Sequence, residues 1–272
     1  MKQLALLFLF IGLNFQAQTN RFVYEFKYKK DSLSDKMENK EMFLDINTKH
    51  VLFYEAWAVK IDSINRTMGG VSQYTFPFAK LKRHLSSSKN LNHFMIGDSY
   101  FQFETDENID WKITPETKTK EEWNLQKATT NFGGRAWEAW FTTDIPISEG
   151  PYKFVGLPGL IVELRDTKDN FSYDLVRVEK PANANPDIVE MLFKKKPIKI
   201  SLKKYQELLI SHYNDPYSRF RHMKPGSWSI GRSDDTFVDT IEGLAKITKE
   251  EQEEIRKNNN PIELDKAIRY TE

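Results

Sequence analysis

Cysteine is absent from the 272-residue chain. Its absence excludes a disulfide framework, thiolate chemistry, thiolate metal ligands and an anchor on a lipid-modified cysteine. A chain of this length can bury about three quarters of its unfolded surface, so one large domain can hold together without covalent cross-links. We therefore expect its stability to come from a hydrophobic core.

Long apolar runs are absent beyond the first residues, because charged side chains interrupt every later apolar stretch. A helix that crosses a bilayer needs about 20 apolar residues, so no transmembrane segment is predicted in the mature chain. At the N terminus, Lys2 precedes the apolar run 4–13, and the small residue Ala17 precedes a polar segment. This order is typical of a signal peptide over residues 1–17, cleaved after Ala17. The alternative is a buried N-terminal helix or strand.

The net charge is also small, at +1 for the full chain. A nearly neutral protein lacks the electrostatic attraction that nucleic acid binding requires, so no nucleic acid partner is predicted. We expect residues 18–272 to form a single β-rich domain with a helical C-terminal portion. We expect this domain to be exported to the periplasm or to the cell surface of a Gram-negative bacterium.

Histidines are few, and signatures of catalysis are missing. The five histidines show no close ligand spacing, whereas a catalytic zinc site typically needs about three protein ligands. No G-x-S-x-G elbow, phosphate-binding loop or dinucleotide fingerprint occurs. We therefore predict no catalytic residues, no cofactor and no metal, although a site whose residues meet in three dimensions stays open.

Alternating apolar and polar residues dominate what the chain does contain, and period-two alternation is typical of strands. It occurs over residues 21–29 and again over 135–142, where aromatics on both faces predict a strand covered on both sides. Residues 160–165 and 171–178 predict a hairpin. The fold class expected is mainly β (α+β), an antiparallel and strongly curved sheet with a few peripheral helices.

Helix signals are concentrated in the last third of the chain. Ser201 can cap a helix from Leu202 to about His212. Thr248 and Glu251 form a possible capping box for a short helix that ends at Lys257. Residues 56–64 predict another short helix, and the basic, serine-rich segment 80–90 predicts a loop.

One short motif carries a family resemblance. Residues 154–161 read Phe-Val-Gly-Leu-Pro-Gly-Leu-Ile, and this chain resembles the GLPGLI family of exported bacterial proteins. The resemblance extends from residues 134–135 through 139–141, 145–146 and 150–151 to residues 260–264. It implies export and related folds, and no reaction. Family members often carry a cysteine where this chain has Leu125, so the resemblance implies no thiol role here.

The motif and its surroundings supply the candidate site residues. In the tripeptide at 157–159, proline suits the first central position of a type II turn and glycine supplies the positive φ of the second. A functional alternative is a ligand held by the backbone amides there. Arg135 can bind a carboxylate, stack on Trp140, or act as a structural clamp. The candidates, either structural or ligand-binding, are Arg135, Trp140, Gly156, Leu157, Pro158, Gly159, Leu160 and Ile161.

The function predicted from these features is that of a non-enzymatic envelope protein which binds an apolar ligand or peptide. The aromatic surplus motivates this hypothesis, with Trp137, Trp140, Phe141 and Tyr152 as examples, although each can equally fill the core. The candidate partners are a lipid, an apolar ligand or an envelope protein. The alternatives are a hydrolase with a site assembled in three dimensions and an accessory or assembly factor. An aromatic cavity, a cleft of titratable groups or an exposed apolar patch would distinguish the three.

Overall fold

A computed structural model describes residues 19–67, 80–85, 87–97, 99–190, 196–224, 226–232 and 234–271. The predicted signal peptide lies outside these residues. The larger sheet is built from β1 Asn20–Tyr28, β2 Glu38–Ile46, β3 His50–Glu55, β4 Lys80–His84, β5 Lys89–Ile96, β6 Ser99–Asp106, β7 Lys112–Lys120, β8 Trp123–Phe132, β9 Arg135–Thr142, β10 Leu160–Asp166, β11 Phe171–Glu179 and β12 Ile198–Lys199.

The strands follow the order β12-β6-β5-β4-β3-β2-β1-β11-β10-β9-β8-β7. Neighbours pair antiparallel, as predicted, except that β12 pairs parallel with β6, which makes the sheet mixed. A parallel pair requires a crossover connection, and here the chain leaves β6 and returns to it after β11. The mainly β class and the hairpin of β10 with β11 are confirmed.

The prediction of a strongly curved sheet is wrong. Over the described residues, β7 and β12 lie at opposite edges of an open ladder, and no sheet is strongly curled or closed. The aromatic side chains of the open sheet are buried by segments that lie across it, which include Tyr152, Phe154 and Ile262.

One helix follows β3, and the other helices lie in the C-terminal portion together with a small second sheet. The elements are α1 Trp57–Thr67, α2 Leu202–Asn214, α3 Ser218–Arg221, α4 Ile241–Lys257, a 3-10 turn Leu264–Lys266, and the paired strands β13 Ile230–Gly231 and β14 Phe237–Val238. The cap of α2 is confirmed, because the Ser201 hydroxyl accepts from the amide of Lys204. No helix among the described residues is long and apolar enough to span a membrane.

Two details of the helix and loop predictions are wrong. Helix α4 begins at Ile241 rather than near Thr248, since the Thr240 hydroxyl caps it by accepting from the amide of Gly243. Thr248 is buried inside the helix and donates back to the carbonyl of Leu244. The basic segment 80–90 contains β4 and the start of β5 rather than a loop.

Both faces of the sheet carry buried side chains. The face that we call the front holds the main core, with Phe26, Phe53, Phe171 and Tyr173. The back carries a smaller cluster beneath α1. At that cluster Arg21 donates twice to Asp45 at 2.7 Å, and the Tyr54 hydroxyl donates to Asp45 at 2.6 Å. The front face positions the candidate site.

Candidate functional site

A cavity of about 540 Å³ lies between the front face of the sheet, helix α2 and the C-terminal segment. Strands β1, β2, β3 and β11 form one wall, and α2 with residues 258–270 forms the opposite wall. The lining side chains that the site depends on are Phe26, Tyr28, Met42, Phe53, Asn92, Phe103, Tyr152, Lys153, Phe171, Tyr173, Leu202, Tyr205, Leu209, Glu263, Lys266 and Tyr270.

Stacked rings form the sheet wall of the cavity. Phe26 on β1 stacks on Tyr173 of β11 with ring centroids 4.3 Å apart, and Phe53 of β3 meets Tyr173 edge-on at 6.1 Å. Alternation places these rings on one face because successive side chains of a strand point to opposite sides. Such ring pairs contribute roughly 0.5–1.5 kcal/mol each beyond their buried area. The wall is therefore rigid and apolar.

Helix α2 closes the opposite side. Tyr205 packs against Phe94 with ring centroids 4.1 Å apart and stacks on Phe103 at 4.8 Å. Burial raises the pKa of Tyr205 to about 12, so its hydroxyl stays protonated at neutral pH. Leu209 lies one helical turn further along the same face and also lines the cavity.

A charged cluster adjoins the aromatic walls. The Lys153 ammonium contacts Glu107 at 2.8 Å and Glu263 at 2.7 Å, and Lys266 pairs with the same two carboxylates. The Tyr152 hydroxyl donates to Glu263 at 2.5 Å. We call Glu107, Tyr152, Lys153, Glu263 and Lys266 the charged cluster. It joins the loop after β6, the family motif region and the C-terminal segment.

Ion pairing sets the protonation of the cluster. Burial raises the pKa of Glu107 and of Glu263, but Lys153 and Lys266 outweigh it, so both pKa values fall below the usual value. The pKa of Lys266 is raised by the same contacts despite its burial. Burial, with Glu263 beside it, holds the pKa of Tyr152 well above its usual value. Glu107 and Glu263 are therefore ionised at neutral pH, and each of them faces the two lysines of the cluster.

The family hexapeptide lies at the turn into β10. Leu157, Leu160 and Ile161 are buried in the core, and the Tyr24 hydroxyl donates to the carbonyl of Ile161 at 2.6 Å. Pro158 is exposed. None of the six residues lines the aromatic cavity. The chain just before them does, through Tyr152 and Lys153.

The predicted role of Gly159 in the turn is wrong. Its φ is not in the left-handed region, so the turn is not the type II turn expected, and Gly156 at φ +100° has the positive φ instead. Glycine is required at 159 because a Cβ there would lie 1.9 Å from the carbonyl oxygen of Thr142. Gly159 thus permits close contact between the turn and the end of β9.

Arg135 ties the C-terminal segment to the sheet. Its guanidinium donates to the side chain of Asn260 at 2.6 Å and to the carbonyl oxygens of Pro261 and Ile262 at 2.8 and 3.1 Å. It also pairs with Asp166 at 3.5 Å and lies over the ring of Phe171. These contacts hold one wall of the cavity in place.

Trp140 lies on the back of β9, away from the cavity. It is partly buried, and Lys118 lies 4.3 Å from its ring centre. On the same face Ala136 is exposed and Glu138 is half-buried, so the prediction that β9 is covered on both sides is wrong. Arg135 and Trp140 belong to different environments.

Histidine and acidic clusters give no metal centre in the described part of the chain. No group of three or more histidine and carboxylate residues there could hold an ion. His93 is buried on the back of β5, where burial lowers its pKa to about 4. The charged cluster is the feature that the sequence predictions missed. Its signal was Lys153 between two aromatic residues next to the hexapeptide, an unusual setting for a solvated lysine.

Comparisons with known proteins support the family and the fold. A family model described as "Protein of unknown function (Porph_ging)" matches residues 85–163, which include the hexapeptide. This match confirms the predicted resemblance to the GLPGLI-type family. No curated protein matches the sequence.

Two solved structures of PNGF-II, in different space groups, resemble the chain with a TM-score of 0.53 and 16% sequence identity. Each match covers 71% of this chain and 33% of the PNGF-II chain. The chain therefore spans about a third of the length of these structures. At this identity the likeness shows the fold alone.

Proposed function

We propose that this chain, which matches the GLPGLI-type family model over residues 85–163, is an exported binding protein that holds an apolar ligand or peptide in the aromatic cavity. The observation that carries the proposal is the cavity itself. Its volume of about 540 Å³ lies within the range of roughly 300–1,000 Å³ typical of small-molecule sites. The proposed location is the periplasm or the cell surface.

The charged cluster is not suited to general acid catalysis. A general acid at neutral pH needs a carboxyl group whose pKa is raised, whereas the pKa values of Glu107 and Glu263 are both lowered. Their oxygens accept hydrogen bonds from the two lysines, so the carboxylates are already engaged. The charged cluster therefore acts as a rigid end wall for the cavity. The alternative is a hydrolase, in which the carboxylates of this cluster would act once their ion pairs had opened.

Native mass spectrometry of the protein purified from the cells that make it tests the proposal. Under gentle conditions we expect a small molecule bound to residues 18–272, and under denaturing conditions we expect it to be lost. The mass also reports whether residues 1–17 have been removed. A co-purified protein would favour an accessory factor, and a bare chain would count against a resident ligand.

A matched pair of variants locates the ligand. Leu209→Trp introduces a large side chain at the cavity wall, whereas Ile210→Trp places it on the exposed side of α2. We expect occupancy to fall in the first variant and to stay unchanged in the second. Equal occupancy in both would place the ligand elsewhere.

A further inference from the structure

Within the charged cluster, at one end of the cavity, the positive and negative side chains neutralise one another. Lys29, Lys30 and Glu254 also line the cavity, and Lys30 pairs with Glu38. Lys153 and Lys266 are balanced by Glu107 and Glu263, with four contacts inside the charged cluster. Removing one partner of a buried pair leaves an uncompensated charge, which is strongly unfavourable. A charged ligand that entered this end of the cavity would have to displace one of these partners. The cluster therefore favours an uncharged occupant.

The hydroxyl of Tyr173 faces the cavity without a partner. Tyr173 is 1% exposed, and its ring lies against Phe26 and Phe53. Its hydroxyl makes no hydrogen bond to any of the described residues. The hydroxyl is also not completely enclosed, because Tyr173 lines the cavity. Buried tyrosine hydroxyls usually have a partner. Burial also raises the pKa of this phenol well above its usual value, so it keeps its proton.

Asn92 offers a second polar atom. Its side-chain nitrogen donates to the carbonyls of Asn90 and Phe103 at 3.2 and 3.3 Å and to the Thr105 hydroxyl at 3.0 Å. Because two of these acceptors are carbonyl oxygens, the orientation of the amide is fixed. Its oxygen accepts no hydrogen bond within the described residues, and Asn92 lines the cavity while being 2% exposed. The oxygen requires a donor.

We infer that the ligand is an uncharged molecule that carries an N–H or O–H group, as an amide or alcohol does, on an apolar frame. The side-chain oxygen of Asn92 accepts a hydrogen bond from this N–H or O–H group. The hydroxyl of Tyr173 donates to the oxygen of the amide or alcohol, and the aromatic walls contact the apolar frame. This inference rests on the proposed function and narrows it. It separates amides and alcohols from hydrocarbons, which leave both polar atoms unsatisfied, and from carboxylates, which disturb the charged cluster.

Four probes with one shared frame test the inference: 3-phenylpropanamide, 3-phenylpropan-1-ol, 3-phenylpropanoate and propylbenzene. Each is titrated into isotope-labelled residues 18–272, and NMR shift changes give its affinity. The variant Tyr173→Phe removes one oxygen and keeps the ring. The control Tyr217→Phe also removes one phenol oxygen, but Tyr217 packs in the cluster around Trp228 and does not line the cavity.

We expect Tyr173→Phe to weaken binding of the amide and the alcohol by about three- to tenfold and to leave propylbenzene unchanged. Tyr217→Phe should change none of the four affinities, and the propanoate should bind most weakly. Tighter binding of the amide than of the alcohol would identify the ligand as a peptide. Tighter binding of the alcohol would identify it as a hydroxylated molecule.

Equal effects of Tyr173→Phe on all four probes, or tightest binding of the propanoate, would overturn the inference but leave the proposed cavity function standing. Propylbenzene binding in the variant shows that the cavity is intact. If none of the four probes binds, both the inference and the proposed function fail.

Discussion

Gly159 lies against the backbone at the end of β9, and any side chain there meets the carbonyl of Thr142. We expect Gly159→Ala to destabilise the protein by about 3 kcal/mol, since backbone must move to relieve the overlap. At Gly156 a Cβ meets nothing closer than Trp111 at 3.7 Å, so Gly156→Ala should cost about 1–2 kcal/mol for its positive φ alone. Urea unfolding measures the loss of stability in both variants. A larger loss in Gly156→Ala than in Gly159→Ala would contradict this packing.

Arg135 is the residue through which the sheet holds the C-terminal segment. We expect Arg135→Lys to lower the free energy of unfolding by about 3 kcal/mol, because lysine cannot make the forked contacts to Asn260 and Pro261. Hydrogen exchange at residues 260–264 should accelerate in the variant.

Arg165→Lys provides the matched control, since Arg165 is on the neighbouring strand and pairs with Glu138 at an exposed position. Its effect should stay within about 0.5 kcal/mol. If both substitutions cost the same, Arg135 is not a clamp.

At this scale the sequence allowed two alternatives for Arg135 and for the hexapeptide but could not choose between them. Arginine has the same forked donors whether it faces a ligand or a carbonyl, and the choice depends on Asn260, which lies 125 residues away. The turn type expected at Gly159 was wrong. Glycine is needed there for close contact with Thr142, and this contact depends on tertiary packing that no local pattern encodes.

Among the secondary-structure elements, α4 shows where a cap determines a helix start. We expect Thr240→Ala to cost about 1 kcal/mol, since it removes the oxygen that accepts from the amide of Gly243. Thr240→Ser keeps that oxygen and should be nearly neutral. Thermal unfolding of the two variants provides the comparison, and equal losses would show that the cap contributes nothing.

The strands with clear alternation were predictable, whereas β4 was not. Its basic residues suggested a solvated loop, but Arg83 pairs with buried Glu149 and Lys82 pairs with Glu190. Charged residues enter a sheet when a distant partner neutralises them. Those partners follow β4 by more than 60 residues, so local periodicity could not reveal them.

For the whole molecule, the charged cluster connects three segments and predicts a pH dependence. Glu107 and Glu263 have pKa values below 4.5 in the folded state. As the pH falls, these two carboxylates therefore bind protons in the unfolded chain at a higher pH than in the folded chain. The stability that they contribute is complete above the unfolded pKa and is lost as pH falls through the lowered folded pKa values. Urea unfolding at about pH 7 and about pH 3.5 should show a marked loss at the lower pH.

The double variant Glu107→Gln, Glu263→Gln tests that assignment. Its stability should be lower at neutral pH and should change less on acidification, because neither side chain can then titrate. An unchanged acid dependence would assign the effect to other carboxylates.

The cavity could be predicted from the sequence only as an aromatic surplus. The rings of β1, β3 and β11 face one another because of the strand order, and α2 covers them from the far end of the chain. Aromatic residues that fill a core and those that line a cavity share one sequence pattern. Tertiary arrangement alone distinguishes them.

Binding of an uncharged apolar molecule in this cavity is the central claim, and a fluorescence titration with N-phenyl-1-naphthylamine tests it directly. The dye is neutral, carries one N–H group and brightens in apolar surroundings. We predict a saturable 1:1 increase that Leu209→Trp abolishes and Ile210→Trp preserves. No saturable increase, or one that both variants share, would contradict the account.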